Sequence, residues 1–109
     1  MKRRTRIGVL VRETINTILQ KQIQDPRLTM VTVTEVVLSA DLRQAQVYVA
    51  VLGGEKKKGD SLSGLRSART FIQRELGKQV RLKYLPVLTF LLDDTLDFAD
   101  RVNDILENE

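Results

Sequence analysis

Residues 30–52, MVTVTEVVLSADLRQAQVYVAVL, contain two stretches typical of β-strands. The first, Met30–Leu38, is rich in β-branched residues, and the second, Leu42–Leu52, alternates apolar with polar side chains. Because the connection Ser39–Asp41 is too short for a crossover helix, the two strands are predicted to be antiparallel neighbours. One face of this hairpin is apolar and must therefore be covered by a helix. In the second strand that face consists of Ala45, Val47, Val49 and Val51.

Helices are predicted before and after the hairpin. Between Thr5 and Gln24 the apolar residues recur at intervals of three and four, which predicts a covering helix that stops ahead of Pro26. Residues 53–60 hold three glycines and three consecutive lysines, so they predict a mobile basic loop. A second helix is expected to begin at Asp60 or Ser61 and to end at Gly77.

The C-terminal third supplies one more strand and one more helix. Pro86 opens an apolar stretch that predicts a third strand through Leu92, and a last helix is expected over residues 96–106. Residues 97–109 form an acidic C-terminal helix and tail. The expected core aromatics are Phe71, Phe90 and Phe98. The element order helix, strand, strand, helix, strand, helix predicts one α+β domain, residues 1–109, with a three-stranded sheet covered by helices on one side.

Composition narrows the function classes. The 109 residues include no cysteine and no histidine, which excludes disulfide and thiolate zinc scaffolds and removes the commonest proton-transfer side chain. No signal peptide or membrane span is visible, so the cytoplasm is the expected location. Asp93, Asp94 and Asp97 offer hard-cation ligands, but a strand-ending turn and helix cap is the favoured interpretation. We expect no enzyme, no cofactor and no metal.

Charge is segregated along the chain. Residues 1–92 hold 17 Lys or Arg and 7 Asp or Glu and carry +10, whereas residues 93–109 carry −6. A basic body of this kind predicts a polyanionic partner, with affinity set by neutralised phosphates. Three clusters of cations are candidates for RNA binding, one at the N-terminus, one in the predicted loop, and one on and after the second helix. They are Arg3, Arg4, Arg6, Lys56, Lys57, Lys58, Arg66, Arg69, Arg74, Lys78, Arg81 and Lys83.

A series of short motifs is specific through its order and spacing, although each motif alone is common. The motifs include Asp25-Pro26-Arg27-Leu28, Val31-Thr32-Val33-Thr34, Val47-Tyr48-Val49, Arg74-Glu75-Leu76-Gly77 and Leu88-Thr89-Phe90. Together they resemble the bacterial ribosome-binding factor A family over nearly the whole chain.

That resemblance implies a KH-like fold of the second type and a monomer that binds the small (30S) ribosomal subunit and its 16S rRNA. It also implies a role in late maturation and processing of that RNA, growth in the cold, and assembly GTPases as further candidate partners. The family marks a kink in its second helix with Ala, any residue, Gly. Here the stretch is Ala68-Arg69-Thr70, and Gln73 and Val87 stand where Arg and Glu are expected.

Two alternatives remain open from the sequence. Tyr48 could stack on a base, but ordinary sheet packing is the favoured interpretation. Instead of binding RNA, the chain could be a protein–protein interaction module that uses its sheet edge or its acidic C-terminal helix.

Overall fold

The computed structural model describes residues 3–93, and the predicted last helix, Phe98 and the acidic tail lie outside these residues. The order of elements is two strands between one helix and a pair of helices, followed by a third strand. The elements are α1 (Arg3–Lys21), a 3₁₀ turn (Pro26–Leu28), β1 (Val31–Leu38), β2 (Gln44–Val51), α2 (Glu55–Ser67), α3 (Arg69–Gln79) and β3 (Val87–Leu92). Over the described part of the chain this α+β order is the predicted one, except that two helices, α2 and α3, stand where one was expected.

The three strands form one mixed sheet in the order β1-β2-β3. β1 and β2 pair antiparallel, as the short Ser39–Asp41 connection predicts, whereas β3 pairs parallel to β2. A parallel pair requires a long crossover, which α2 and α3 supply. A bulge interrupts β1 between Val33 and Glu35 and leaves Thr34 as the extra residue.

All three helices lie on one face of the sheet. In β2, Ala45, Val47 and Val49 are buried while Gln44 and Gln46 are exposed, so the predicted alternation is confirmed. α1 packs against β1, and α2 packs against β2, β3 and the 3₁₀ turn. The helices bury this face, and the other face is open.

α1 runs antiparallel to β1. A Cβ atom on Gly8, near the start of α1, would lie 2.8 Å from the carbonyl oxygen of Val36, near the end of β1. Farther along both elements, the Asn16 amide bonds the backbone of Val33. The N-terminal turns of α1 therefore lie at the end of the sheet where β1 finishes.

The predicted loop over residues 53–60 is wrong, because α2 already begins at Glu55. Gly54 is extended and serves as the N-cap, and Glu55 places a carboxylate in the first turn, where the helix dipole favours negative charge. Lysine is a good helix former, and each of the two glycines inside α2, Gly59 and Gly64, costs only about 1 kcal/mol relative to alanine. Lys56, Lys57 and Lys58 are therefore helical.

The predicted single helix ending at Gly77 is also wrong. Its path is interrupted at Ala68, where φ is −90° and ψ is 1°, and α3 continues past Gly77 to Gln79. The break occurs without the family's glycine, because an L-residue can adopt this region of backbone space. Thr70 lies exposed inside α3 and does not form the break.

One predicted core aromatic is misplaced. Phe90 is buried, as expected, but Phe71 is 39% exposed on α3. Phe71 borders a shallow depression with Ile23 and Ala68 beside the C-terminus of α1. No helix among residues 3–93 is both long enough and apolar enough to cross a membrane.

Candidate nucleic-acid interface

The sheet has two ends that carry different groups of cations. The hairpin end is defined by Leu38, Gln44 and Val87, where β1 finishes and the other two strands begin. The far end is defined by Val31 and Val51, about 25 Å away along the eight residues of β2.

The N-terminal candidates lie toward the hairpin end. Arg4 and Arg6 are exposed in the first two turns of α1, which reach this end because Gly8 packs over Val36. Only the backbone of Arg3 is described. These guanidinium groups extend the basic surface beyond the sheet itself.

Sequence reasoning missed two residues at the hairpin end, Arg43 and Tyr84. The Arg43 guanidinium carbon lies 4.0 Å from the centroid of the Tyr84 ring, and Lys83 Nζ lies 5.5 Å from the same centroid. The Val87 N–H donates to the Arg43 carbonyl, which joins the two segments at the start of β2 and β3. The available signal was the adjacency of Lys83 and Tyr84, but the contact with Arg43 spans about forty residues.

Hydrogen bonds hold the connection between β1 and β2 in one shape. The Ser39 hydroxyl and the Arg43 N–H both donate to the Asp41 carboxylate, at 2.7 and 3.1 Å. These donors, the hydroxyl first, lower the pKa of Asp41 below its ordinary value. Leu42 has a φ of 63°, in the left-handed region that non-glycine residues seldom adopt. The strained backbone turns Leu42 toward the core, against which it packs, while Arg43 stays exposed.

The lysine cluster lies at the far end. Lys57 borders a depression shared with Met30, Val51 and Leu52, and Lys56 is exposed in the first turn of α2. Lys58 is half-buried, and its Nζ lies 3.8 Å from a Glu55 carboxylate oxygen. Because the far end is about 25 Å from the hairpin end, the structure does not bring the lysines together with Arg4 and Arg6.

The α2–α3 candidates differ in how they are paired. Arg66 and Arg74 are exposed, whereas Lys78 lies 3.0 Å from Glu75. This ammonium group, together with the Gln22 amide, lowers the pKa of Glu75. Arg69, next to the break, is half-buried, and its Nε atom meets no hydrogen-bond acceptor within the described part of the chain.

The segment between α3 and β3 carries the last two candidates, Arg81 and Lys83, both exposed. It lies beside α3, because the Gln73 amide donates to the Pro86 carbonyl at 2.7 Å and Leu85 lies against Gly77. Gln73, which stands where the family pattern has arginine, therefore has a structural role here. Val87, the other departure, is exposed on the open face of the sheet.

The carboxylates with resolved pKa shifts do not suggest acid–base chemistry. Asp25 receives bonds from the Arg27 side chain and backbone N–H, and these lower its pKa. The pKa of Asp41 and that of Glu75 are also lowered, so all three groups are held in the charged form. Among residues 3–93, no three acidic side chains cluster as a metal site would require.

The chain matches known proteins over most of its length. The family model for ribosome-binding factor A matches residues 3–106. The ribosome-binding factor A of Dictyoglomus thermophilum is 43% identical over 102 residues, which cover 93% of this chain and 85% of that protein. The corresponding protein of Natranaerobius thermophilus is 41% identical over 105 residues, covering 96% and 80%.

Solved structures of the same factor share the fold. The crystal structure of ribosome-binding factor A from Thermus thermophilus superposes with a TM-score of 0.73 at 29% identity, covering 82% of this chain and 93% of that one. A homology model of the Thermus thermophilus factor, fitted into a cryo-EM map of its complex with 30S, gives a TM-score of 0.67 at 30% identity and covers 81% and 92%. The sequence motifs, the element order and these matches agree, and the chain belongs to the ribosome-binding factor A family.

Proposed function

We propose that this chain is a non-catalytic ribosome assembly factor that binds the small (30S) subunit through 16S rRNA and assists late maturation of that RNA. The observation that carries the proposal is its likeness to the Thermus thermophilus factor that was fitted into a map of a 30S complex. The cytoplasm is the expected compartment and a monomer the expected state. Assembly GTPases are the candidate partners at release.

Neutralised phosphates supply most of the affinity in this proposal. Arg4, Arg6, Lys56, Arg66 and Arg74 are exposed, and their side chains can follow an RNA backbone without reading sequence. Their placement at both ends of the sheet suits a polymer, because phosphates along an RNA can meet cations that are about 25 Å apart.

Arg69 adds a more specific phosphate contact. A buried donor without an acceptor costs about 1–3 kcal/mol, and Arg69 Nε is such a donor beside the break between α2 and α3. Turning this half-buried side chain outward would let a phosphate oxygen at the break satisfy it. The exposed Arg66 lies in the last turn of α2, one helical turn earlier, and its charge favours the same phosphate.

Co-sedimentation of the full chain with purified 30S subunits over a salt series tests the proposal. The logarithm of the binding constant should fall linearly with the logarithm of salt concentration. Arg66→Gln with Arg74→Gln should reduce that slope by about 2, since each lost phosphate contact removes about 1. Lys21→Gln is the matched control, because Lys21 is exposed on α1 but belongs to none of the three clusters.

Two results would contradict this function. One is a wild-type chain that stays free of subunits at low salt, and the other is binding whose strength does not change with salt. The salt dependence of binding could also stay at the wild-type slope when the cations of each cluster are substituted. That result would show that these cations do not bind phosphate, even if the chain still sedimented with subunits.

A protein–protein interaction surface is the second candidate, and the open sheet face favours it. Val37 and Val87 are 43% and 46% exposed there. Strand addition at β1 is opposed, because the Asn16 amide already bonds both Val33 backbone groups. If a protein is the main partner, Val37→Ser with Val87→Ser should lower subunit affinity equally at every salt concentration.

A further inference from the structure

The Arg43–Tyr84 pair at the hairpin end has features that simple charge neutralisation does not require. The guanidinium carbon lies 4.0 Å from the ring centroid, a separation that suits a cation over an aromatic face. Arg43 is exposed and Tyr84 is half-buried, so the ring supports the guanidinium from the protein side. An arginine held in this way presents a flat, charged surface to solvent.

Hydrogen bonds in the turn before β2 fix the backbone of this arginine. Leu42, directly before it, has a φ of 63°, in the left-handed region that non-glycine residues seldom adopt. The Asp41 carboxylate holds the conformation by accepting from Ser39 and from the Arg43 N–H. Arg43 is therefore positioned before any ligand arrives, which lowers the entropy lost on binding.

A second cation shares the same ring. Lys83 Nζ lies 5.5 Å from the Tyr84 centroid, so two positive charges approach one aromatic side chain. An anion beside either cation would offset the positive charge gathered at this ring. The site thus combines a planar surface with a place for a phosphate, which are the two features that an unpaired nucleotide requires.

We propose that Arg43 and Tyr84 form a stacking platform for an unpaired RNA base and that Lys83 contacts the adjoining phosphate. The platform rests on the proposed RNA-binding function and gives it a contact that distinguishes single strands from duplex. Bases stack on guanidinium planes and aromatic rings without strong sequence preference. Arg4 and Arg6, toward the same end of the sheet, continue the path for the backbone.

Binding of the full chain to two probes tests the platform, a short single-stranded oligoadenylate and an abasic oligomer with the same number of phosphates. The wild type should bind the oligoadenylate about tenfold more tightly, within the range measured for one stacked base. Arg43→Lys keeps the charge but not the plane, so it should erase this preference and retain affinity for the abasic oligomer. Tyr84→Phe should keep the preference, and Tyr84→Leu should lose it.

Tyr48→Leu is the matched control, because Tyr48 is the only other tyrosine and lies half-buried in β2. The proposal is overturned if the wild type binds both probes equally, if Arg43→Lys keeps the preference, or if Tyr48→Leu abolishes it. Should Tyr84→Leu fail to fold, the exposed Arg43→Lys variant decides alone. Failure of the proposed function would look different, since the wild type would then not bind 30S subunits at all.

Discussion

The Thr34 hydroxyl donates a hydrogen bond to the Asp93 carboxylate at 2.5 Å, which joins β1 to the residue that follows β3 across the central strand. Thr34 is the extra residue of the β1 bulge, and Asp93 is only 7% exposed. The Asp93 N–H also donates to the Val49 carbonyl of β2, at 2.7 Å. Through these two hydrogen bonds, Asp93 connects all three strands near the far end of the sheet.

Removing the Thr34 hydroxyl should destabilise the fold. Thr34→Val leaves the buried Asp93 carboxylate with one donor fewer, at a cost of about 1–3 kcal/mol in the free energy of unfolding. Urea unfolding should show a lower midpoint with an unchanged slope. Thr32→Val, at an exposed position of the same strand, is the control and should change stability by less than about 0.5 kcal/mol. Equal midpoints for the two variants would show that the contact is not stabilising.

Asn16 should protect the bulged edge of β1. Its side-chain amide donates to the Val33 carbonyl at 3.1 Å and accepts from the Val33 N–H at 2.7 Å. Asn16→Ala removes both bonds, so we expect a loss of about 1–3 kcal/mol and faster hydrogen exchange at the Val33 amide. Thr17→Ala, one residue along α1 and exposed, serves for comparison. Unchanged exchange at Val33 in Asn16→Ala would contradict the assigned role.

Two glycine-to-alanine substitutions should have opposite signs. A Cβ on Gly8 would lie 2.8 Å from the Val36 carbonyl oxygen, so Gly8→Ala forces α1 away from β1 and should cost about 1–3 kcal/mol. A Cβ on Gly59 meets nothing within 4 Å, so Gly59→Ala should stabilise α2 by up to about 1 kcal/mol. Thermal unfolding of both variants is the measurement. A stabilised Gly8→Ala would mean that α1 and β1 are not in close contact there.

Stability should fall with acid through the Asp25–Arg27 pair. Arg27 lowers the pKa of Asp25 in the folded state, so the pair contributes stability above the ordinary aspartate pKa of about 3.9. That contribution is lost as the pH falls through the lowered value. Asp25→Asn should flatten the dependence of the unfolding free energy on pH below about 4, and Arg27→Gln should flatten it in part, because the backbone N–H of residue 27 still donates to Asp25. The double variant should match Asp25→Asn. Additive effects would show that the two groups act separately.

Much of the fold could be predicted from residue pattern alone. The Met30–Leu52 hairpin follows from β-branched alternation and a connection too short for anything but an antiparallel turn. The errors occurred where a local rule competed with context. Three glycines near Lys56 indicated a loop, but Gly54 caps a helix and Gly59 is tolerated inside it. Gly77 indicated a helix end, yet α3 continues beyond it and Leu85 lies against it.

The residues of the candidate site also fall into those that the sequence could identify and those that it could not. Charge counting identified the exposed Arg4, Arg66 and Arg74, because cations that lack a buried partner stay in solvent wherever the fold places them. It could not identify Arg43, since what distinguishes this arginine is its contact with the ring of Tyr84, about forty positions away in the chain. Nor could it show that Lys56 and Arg6 lie toward opposite ends of the sheet.

The sequence by itself determined the strands, the basic body and the family, because periodicity, charge composition and motif order can be read along a chain without knowing how it folds. Only the tertiary structure decided the break at Ala68, the Thr34–Asp93 contact and the Arg43–Tyr84 pair. Each depends on how the elements pack, and the two contacts join segments that no local pattern relates. The reason is physical: the sheet register and the crossover through α2 and α3 set which distant side chains meet.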